Sequence, residues 1–421
     1  MAQTKPMKKD PSTPGELSPY KIAATYIGTI IGAGFASGQE VLQFFGHFGL
    51  WGIIGLAIAA ILFAMFGYAM LELGRRLRAN SHLPVIKHAG GCRVGVAIDG
   101  VITFFLFGGV GVMAAGSGAI FAQEYGMSAL LGNFAMLAIT LVTVLVGISG
   151  VISAMSFLVP VLVAAILVIG SATVTANPAA FWGNLDWFQP GRAAVPFWLL
   201  SALLYVSYNL VIGVAVLAPL GPLTSQAKLR SGAIWGGAGL GIGALAITAA
   251  LITHMPAASR YEVPMLFIAD EMSPVFRSGY GVVLLVGIFT TAVGSLYGFC
   301  ARLTSPGTRQ FRWLAVGTSL ASFFTAQVGF SRLVGILFPL VGFAGLLLLG
   351  AIANVMTRDY RANLLLRLGI KPAYKKGAPV TAARPYSIDP MVIEPDIERG
   401  ENLEHTGENQ EDIRGEGVRK E

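Results

Sequence analysis

Charged residues are scarce in this sequence, because Asp, Glu, Lys and Arg make up only 12% of its 421 residues. A soluble globular domain carries about a quarter of its residues charged, so the low fraction excludes that class. The two cysteines, Cys92 and Cys300, are both expected at cytoplasmic helix ends and are interpreted as free thiols. The five histidines show no metal-ligand spacing, and no nucleophile is paired with a base. The sequence therefore predicts no metal site, no organic cofactor and no enzyme activity.

Long apolar runs are what the sequence has instead, since 54% of its residues are hydrophobic. A helix needs about 20 mostly apolar residues to cross the bilayer core. Runs such as Val159–Ile169 are apolar on every side, which excludes the alternation of membrane β-strands. The predicted fold class is all-α integral membrane, with ten transmembrane helices. The ten predicted spans lie near residues 20–45, 50–74, 96–122, 129–147, 150–176, 196–220, 231–254, 279–304, 311–328 and 332–356.

The basic residues are unevenly distributed between the two sides of these spans. With the N-terminus inside, the inner segments up to span nine hold fourteen Lys and Arg, and the outer segments hold four. The positive-inside rule therefore places both termini in the cytoplasm. The net charge of +7 reflects this topology and does not indicate a nucleic-acid partner.

Polar segments flank the apolar region at both ends. Residues 1–19 are polar and contain prolines, so they are predicted to form a cytoplasmic N-terminal segment without a cleavable signal peptide. Residues 20–356 form the predicted transmembrane domain. Residues 357–421 form a cytoplasmic tail, polar and predicted to be largely disordered from about Lys371 onward. A regulatory or partner-binding role of this tail is an alternative that composition leaves open.

The stretch GTIIGAGFASGQE, residues 28–40, interrupts the first apolar run. Glycine is less favourable than alanine in a helix interior by about 1 kcal/mol, so Gly34 and Gly38 mark where this helix would unwind most readily. Close packing is the alternative, because glycines spaced by four let membrane helices approach each other. Ser37 and Glu40 favour a broken helix, since polar residues at such depth usually line a cavity.

A broken helix would expose backbone groups in the middle of the membrane. Amides around Gly34–Gly38 would open at the start of a second half-helix, where the helix dipole favours a carboxylate. Carbonyls of the first half-helix would be free to bind a cation. A nucleotide-binding loop is excluded, because residues 32–38 do not fit the GxGxxG pattern and no strand precedes them.

Residues 25–45, TYIGTIIGAGFASGQEVLQFF, resemble the N-terminal signature of the bacterial membrane-protein family YkvI, and the resemblance extends over all ten spans. More distantly, the motif GTIIGAG is similar to the first helix of the amino acid–polyamine–cation transporters. This resemblance implies the LeuT fold, in which two inverted repeats of five helices contain discontinuous helices at spans one and six. It also implies location in a bacterial cytoplasmic membrane.

The same resemblance implies a solute site between spans one and six. Hydrogen bonding between helices is the simpler alternative for the polar residues of span six. The predicted substrate-binding residues are Gly32, Ala33, Gly34, Ser37 and Gly38 in span one, with Tyr205, Ser207, Tyr208 and Asn209 in span six.

Sodium-coupled members of this fold bind an ion between first-helix carbonyls and the eighth helix. In span eight a glycine and two threonines have the spacing that places them on one helical face. Threonines in membrane helices often bond to their own backbone instead, which is the alternative. Some members replace the ion with a lysine in span five, but residues 150–176 contain no Lys or Arg, which favours sodium. The predicted ion-binding residues are Gly28, Ile31, Gly287, Thr290 and Thr291.

Glu40 and Arg332 are interpreted as a gating pair. Members of the fold often close the outer side with a cation in the first helix and an acid in the tenth, and here the two charges are reversed. Arg332 could instead extend its side chain to the outer membrane surface. Glu40 could instead carry a proton, which makes proton coupling the rival of sodium coupling.

Together these observations predict a secondary active transporter of a small amino-acid-like or organic-cation solute, working by alternating access. Its expected partners are the lipid bilayer and the solute, with sodium or a proton as coupling ion. A membrane sensor that keeps the fold without transport is the alternative function. Oligomeric state is not predicted by the sequence.

Overall fold

The computed structural model describes residues 17–146 and 149–367, without the side chains of residues 149–157 and 362–367. All described residues belong to the first of two compact units, which ends at residue 372. The predictions for residues 1–16 and for the tail beyond residue 367 therefore lie outside the described residues.

Helices make up nearly all of the described chain, and the predicted all-α membrane fold class is confirmed. Span one consists of three short helices in place of one long helix. Span ten continues beyond its predicted end at residue 356. The helices are α1 (Pro19–Ile30), α2 (Ala33–Ala36), α3 (Gln39–Phe44), α4 (Leu50–Arg76), α5 (His82–Tyr125), α6 (Ala129–Val146), α7 (Ser149–Ala176), α8 (Pro178–Gly183), α9 (Trp198–Leu220), α10 (Gln226–Thr253), α11 (Pro264–Met272), α12 (Pro274–Leu303), α13 (Arg309–Ala326) and α14 (Phe330–Arg367).

Eight helices of the described chain are long and apolar enough to cross a membrane, namely α4, α5, α6, α7, α9, α10, α12 and α14. Two predicted spans fall outside this set. Span one does so because its helices are short, and span nine, α13, because its polar residues, among them Arg309, Gln310 and Arg312, make it less apolar than α6, which has the same length. The total of ten spans stays a prediction.

The predicted discontinuity of span six is wrong. The helix α9 runs without interruption over Trp198–Leu220. Its polar side chains find partners while the backbone stays helical, since the Ser207 hydroxyl donates to the Gly342 carbonyl of α14 at 2.7 Å. The Asn209 amide nitrogen donates to the Tyr205 carbonyl one turn earlier at 2.9 Å. Because the polar side chains of α9 already have hydrogen-bond acceptors, the helix does not need to unwind to satisfy these side chains.

The helices pack in two groups. In the first group, α4 packs against α9 and α10, and α1 lies against the same two helices. In the second, α5 packs against α6, α12 and α13. The fifth span of each predicted repeat contacts both groups: α7 touches α10 and α12, and α14 touches α9 and α5. Each group thus combines matching spans from both halves, as expected of two five-helix repeats.

Glycine sets the distance between α4 and α9. A Cβ atom added at Gly74 would lie 2.0 Å from the carbonyl oxygen of Ala218, so the two backbones are in direct contact there. By contrast, a Cβ atom at Gly100 of α5 would meet nothing within 4 Å. Gly74 is therefore fixed by packing, whereas Gly100 is not.

We expect Gly74→Ala to lower the melting temperature of the purified protein by several degrees, because the backbone of α9 must move to admit the methyl group. Gly100→Ala is the matched control and should leave the melting temperature unchanged or slightly higher, since alanine favours the helix. Equal effects of the two substitutions would contradict the packing of α4 on α9.

Candidate functional site

The first span breaks where the glycine pattern predicts unwinding. Helix α1 ends at Ile30, and the next two residues are extended, with φ −73° and ψ 93° at Ile31 and φ −108° and ψ −172° at Gly32. The Gly32 amide turns back to the Ile30 carbonyl at 2.9 Å. The helical hydrogen-bond ladder therefore stops, and a new helix begins at Ala33.

The break leaves backbone groups without partners. Among the described residues, none donates a hydrogen bond to the carbonyls of Gly28 and Ile31, and none accepts one from the amides of Ala33, Gly34 and Phe35. Such groups are expected at any helix end, but in the membrane no water of the bilayer core can satisfy them. They are available to a bound solute or ion.

The first span has a second break at Gly38, where hydrogen bonds of Ser37 fix the turn. Gly38 has φ 80°, a left-handed conformation that favours glycine. The Ser37 hydroxyl donates to the Gly34 carbonyl at 2.7 Å and accepts from the Gln39 amide at 3.2 Å. Ser37 was predicted to bind substrate, but its hydroxyl is engaged in capping this turn.

Two contacts from outside the first span brace the same turn. The Tyr280 hydroxyl of α12 donates to the Ala36 carbonyl at 2.5 Å. The Met265 amide, at the start of α11, donates to the Ser37 carbonyl at 3.0 Å. The broken segment is therefore tied both to α12 of the second helix group and to α11.

Glu40 lies beside the break and is buried, with 5% of its surface exposed. Its carboxylate accepts a hydrogen bond from the Tyr208 hydroxyl of α9. A Cβ atom added at Gly34 would lie only 3.0 Å from Oε2 of Glu40. Glu40 thus reaches back across the break to Gly34, and a side chain at Gly34 would displace it.

Three rings form an aromatic wall at this position, Phe105 of α5, Tyr208 of α9 and Phe338 of α14. The Tyr208 and Phe338 rings stack with centroids 5.0 Å apart, and Phe105 lies 5.6 Å from Phe338. The Phe338 ring also lies 3.7 Å from a Cβ atom added at Gly34. The carboxylate of Glu40 and the Phe338 ring of the aromatic wall therefore both lie against Gly34.

The predicted residues of span six divide into two pairs. Tyr208 bonds to Glu40, and Tyr205 lies beside the same carboxylate, although its buried hydroxyl has no hydrogen-bond partner in the described chain. Ser207 bonds to α14, and the Asn209 amide donates within α9. Tyr205 and Tyr208 face the break. The Ser207 hydroxyl and the Asn209 amide instead make hydrogen bonds to helix carbonyls, which was the alternative to substrate binding for span six.

The predicted ion ligands of span eight lie against the break. A Cβ atom added at Gly32 would be 3.9 Å from the Thr291 hydroxyl, and one added at Gly287 would be 3.7 Å from Cβ of Ala33. The hydroxyls of Thr290 and Thr291 both donate to the Gly287 carbonyl, at 3.0 and 2.8 Å. The oxygens are thus clustered, in the back-bonded arrangement that was the alternative.

The predicted pair of Glu40 and Arg332 is not formed among the described residues. Glu40 is buried against Tyr208, whereas Arg332 is exposed near the N-terminal end of α14. The electrostatic partner of Arg332 is Glu262, whose carboxylate also accepts from the backbone at the start of α14. Glu40 therefore belongs to the interior and Arg332 to the surface of the protein.

The surroundings of Arg332 form a pocket of about 280 Å³, lined by Gln43, Ser331 and Gly335 among others. Glu262, in the connection between α10 and α11, accepts hydrogen bonds from the amides of Phe330 and Ser331. Burial raises the pKa of Glu262 above its usual value, although these two amides oppose this shift. Gln43 of α3 connects the pocket to the first span.

Structures of known proteins share this fold. The complex of MhsT with L-phenylalanine is 17% identical, with a TM-score of 0.54, over 77% of this chain and 87% of that chain. A substrate-bound, outward-open sodium-coupled sialic acid symporter is 15% identical, with a TM-score of 0.55, over 85% of both chains. The described chain is therefore a membrane protein of the LeuT fold.

The relatives define the family within this class. The chain is 30% identical to the uncharacterized membrane protein YkvI of Bacillus subtilis (strain 168) over 336 residues, covering 79% of this chain and 94% of that protein. It is also 30% identical to YyaD of the same organism over 329 residues, or 77% of this chain and 92% of YyaD. No family model matches the chain. The chain belongs to the YkvI family, which confirms the resemblance of its first span.

The aromatic wall was missed by the sequence analysis. Phe105 and Phe338 are single aromatic residues within long apolar runs, and such residues usually pack in the interior or face lipid. Their places in the fold distinguish them, since Phe338 lies against Gly34 and Phe105 lies near the rings of Phe338 and Tyr208.

Gly38 gives a test of how the break is fixed. A Cβ atom there would lie 2.6 Å from Cγ of Met265, whereas one at Gly307, which has a similar φ of 83°, would meet nothing within 4 Å. Both Gly→Ala substitutions force alanine into a left-handed conformation, at a cost of about 1–2 kcal/mol. We expect Gly38→Ala to lower the melting temperature more than Gly307→Ala, because it also displaces Met265.

In a Met265→Ala background, Gly38→Ala should lower the melting temperature less than it does in the unmodified protein, because the clashing side chain is gone. Equal losses of melting temperature in Gly38→Ala and Gly307→Ala would show that the Met265 side chain does not pack against the turn.

Proposed function

We propose that this protein is a secondary active transporter that moves a small amino-acid-like or organic-cation solute by alternating access. The observation that carries the proposal is the break at Gly32 in the first span, with its unpaired backbone groups beside Glu40 and the aromatic wall. Irregular backbone at this depth is tolerated where it lines a cavity or a binding site. The solute would bind between the break and Tyr205 and Tyr208 of α9.

The packing in two helix groups supports the same proposal. The residues proposed to bind solute and ion come from both groups. Tyr208 of the first group bonds to Glu40 and lies near Phe105 of the second group. Gly32, in the first span, likewise lies near Thr291 of α12. Movement of one group against the other would open the space between them to either side of the membrane in turn. The fold shared with a sodium-coupled symporter is consistent with this movement, although a fold alone does not establish an activity.

Sodium is the proposed coupling ion. The carbonyls of Gly28 and Ile31 have no partners in the described chain, and the carbonyl of Gly287 and hydroxyls of Thr290 and Thr291 lie on the facing helix. Five neutral oxygens suit a hard monovalent cation, and rotation of the two hydroxyls would release them from Gly287. The rival is a proton carried by Glu40.

We also propose the bacterial cytoplasmic membrane as the location, with both termini in the cytoplasm. The relatives from Bacillus subtilis and the excess of basic residues on the inner side support this proposal.

Transport is testable with the full-length protein in proteoliposomes. We expect uptake of at least one solute from a panel of radiolabelled amino acids, choline and putrescine when an inward sodium gradient is imposed. With sodium replaced by potassium on both sides of the membrane, the solute should no longer accumulate. Uptake that needs a proton gradient but no sodium would show that a proton, carried by Glu40, is the coupling ion. Absence of uptake for the whole panel would favour a sensor.

The threonine pair gives the matching mutational test. We expect Thr290→Ala combined with Thr291→Ala to reduce sodium-driven uptake by about tenfold or more, because two of the five ion ligands are lost. The control is Thr143→Ala combined with Thr175→Ala, which removes two exposed threonines whose hydroxyls also bond to their own helices. Equal uptake by the two double variants at limiting sodium would exclude Thr290 and Thr291 from the ion site.

A further inference from the structure

Glu40 is a buried acid without a basic partner. Its surface is 5% exposed, and among the ion pairs of the described residues none includes Glu40. Its hydrogen-bond partner is the neutral hydroxyl of Tyr208. Burial of a carboxylate at membrane depth is costly unless a positive charge or a proton neutralises it. The described residues supply no positive group at Glu40, so a cation from outside the chain would be stabilised here.

The missing group would have an aromatic surface next to it. The point where a Cβ atom of Gly34 would stand is 3.0 Å from Oε2 of Glu40 and 3.7 Å from the Phe338 ring, so the carboxylate and the ring both lie against Gly34. Tyr208 stacks on Phe338, and Phe105 lies near both rings. Aromatic faces attract ammonium groups, most strongly where water is excluded.

An unpaired hydroxyl lies near the same carboxylate. Tyr205 is 1% exposed, and its hydroxyl has no hydrogen-bond partner among the residues described. Several other buried hydroxyls of the described helices also lack a partner, but Tyr205 is the one placed beside Glu40. Its hydroxyl is therefore free to bond to a ligand at this site.

A solute with its own carboxylate fits these surroundings poorly. The amides that would receive such a group begin at Ala33 and Gly34, and the Glu40 carboxylate already lies against Gly34. Two carboxylates held this close repel each other strongly where water is excluded. The helix α2, with only four residues, supplies too small a dipole to compensate.

Resting on the proposed transport function, we infer that the solute is a small organic cation without a carboxylate, whose ammonium group pairs with Glu40 against the aromatic wall. Glu40 then takes the place of the carboxylate that an amino-acid solute would bring. The chemical class is a primary or quaternary amine, such as a decarboxylated amino acid or a choline-like compound.

The test compares compounds that differ only in the carboxylate. Suitable pairs are tyramine with tyrosine, histamine with histidine, agmatine with arginine, and tetramethylammonium with glycine betaine, each measured by thermal shift of the full chain in nanodiscs at fixed sodium. We expect at least one amine to raise the melting temperature and its carboxylated partner to have no effect at the same concentration. Stabilisation by the carboxylated members alone, or by no amine, would overturn the inference.

Variants then assign the effect to the site. Glu40→Gln keeps the size of the side chain and an acceptor for Tyr208, and should raise the half-saturating amine concentration about tenfold or more. The control Glu271→Gln removes an exposed acid of α11 and should leave this concentration unchanged. If Glu40→Gln does not fold, Phe338→Leu should weaken amine binding by removing one ring of the wall. Unchanged amine binding in whichever of these two variants folds would overturn the inference.

Failure of this inference is distinguishable from failure of the transport proposal. Uptake of an amino acid that no amine inhibits would leave the transporter intact and reject the cationic solute. Amine binding that depends on Glu40 but is accompanied by no flux in proteoliposomes would keep the binding class and reject transport.

Discussion

The structure depends on one constraint, that the backbone of the first span gives up its helical hydrogen bonds inside the membrane. Each unpaired amide or carbonyl in hydrocarbon costs several kcal/mol, so a break is maintained only where surrounding groups compensate for it. Here the compensation comes from the Ser37 hydroxyl inside the turn, the Tyr280 hydroxyl on the Ala36 carbonyl and the Met265 amide on the Ser37 carbonyl. The carbonyls of Gly28 and Ile31 and the amides of residues 33–35 keep no partner among the described residues, and these are the groups that the proposed solute and ion would use.

Residues 262–265, at the start of α11, link this break to the rest of the fold. Glu262 accepts hydrogen bonds from the backbone at the start of α14, and Val263 exchanges two hydrogen bonds with Gln123 of α5. The Met265 amide donates to the Ser37 carbonyl in the turn between α2 and α3. This short segment therefore contacts two helices and the broken first span.

The break itself could be predicted because its cause is local. Glycine lowers helix stability wherever it occurs, and Gly32, Gly34 and Gly38 lie within seven residues of one another, followed by polar side chains. Span six contained a comparable polar group, but its hydrogen bonds are supplied by Gly342 and by its own carbonyls, and the helix continues. The sequence does not reveal whether a polar side chain will find a partner on another helix.

The same limit explains the other differences. Glu40 was correctly singled out as a polar residue at depth, but its partner depends on three-dimensional packing, which brings Tyr208 to it and keeps Arg332 at the surface. Phe105 and Phe338 had no signal, since an aromatic residue in an apolar span looks the same whether it faces lipid, core or ligand. Features caused by neighbouring residues, such as the break, were predictable from the sequence. Contacts between side chains of distant spans were not.

Hydrogen–deuterium exchange of the full chain in lipid nanodiscs tests the break most directly. Amides 33–35 have no helical partners, so a peptide covering residues 28–40 should exchange much faster than peptides from the middle of α4, which is an uninterrupted helix. Exchange in residues 28–40 as slow as in the middle of α4 would contradict the account, because it would show that the first span keeps its hydrogen bonds and has none to offer a solute.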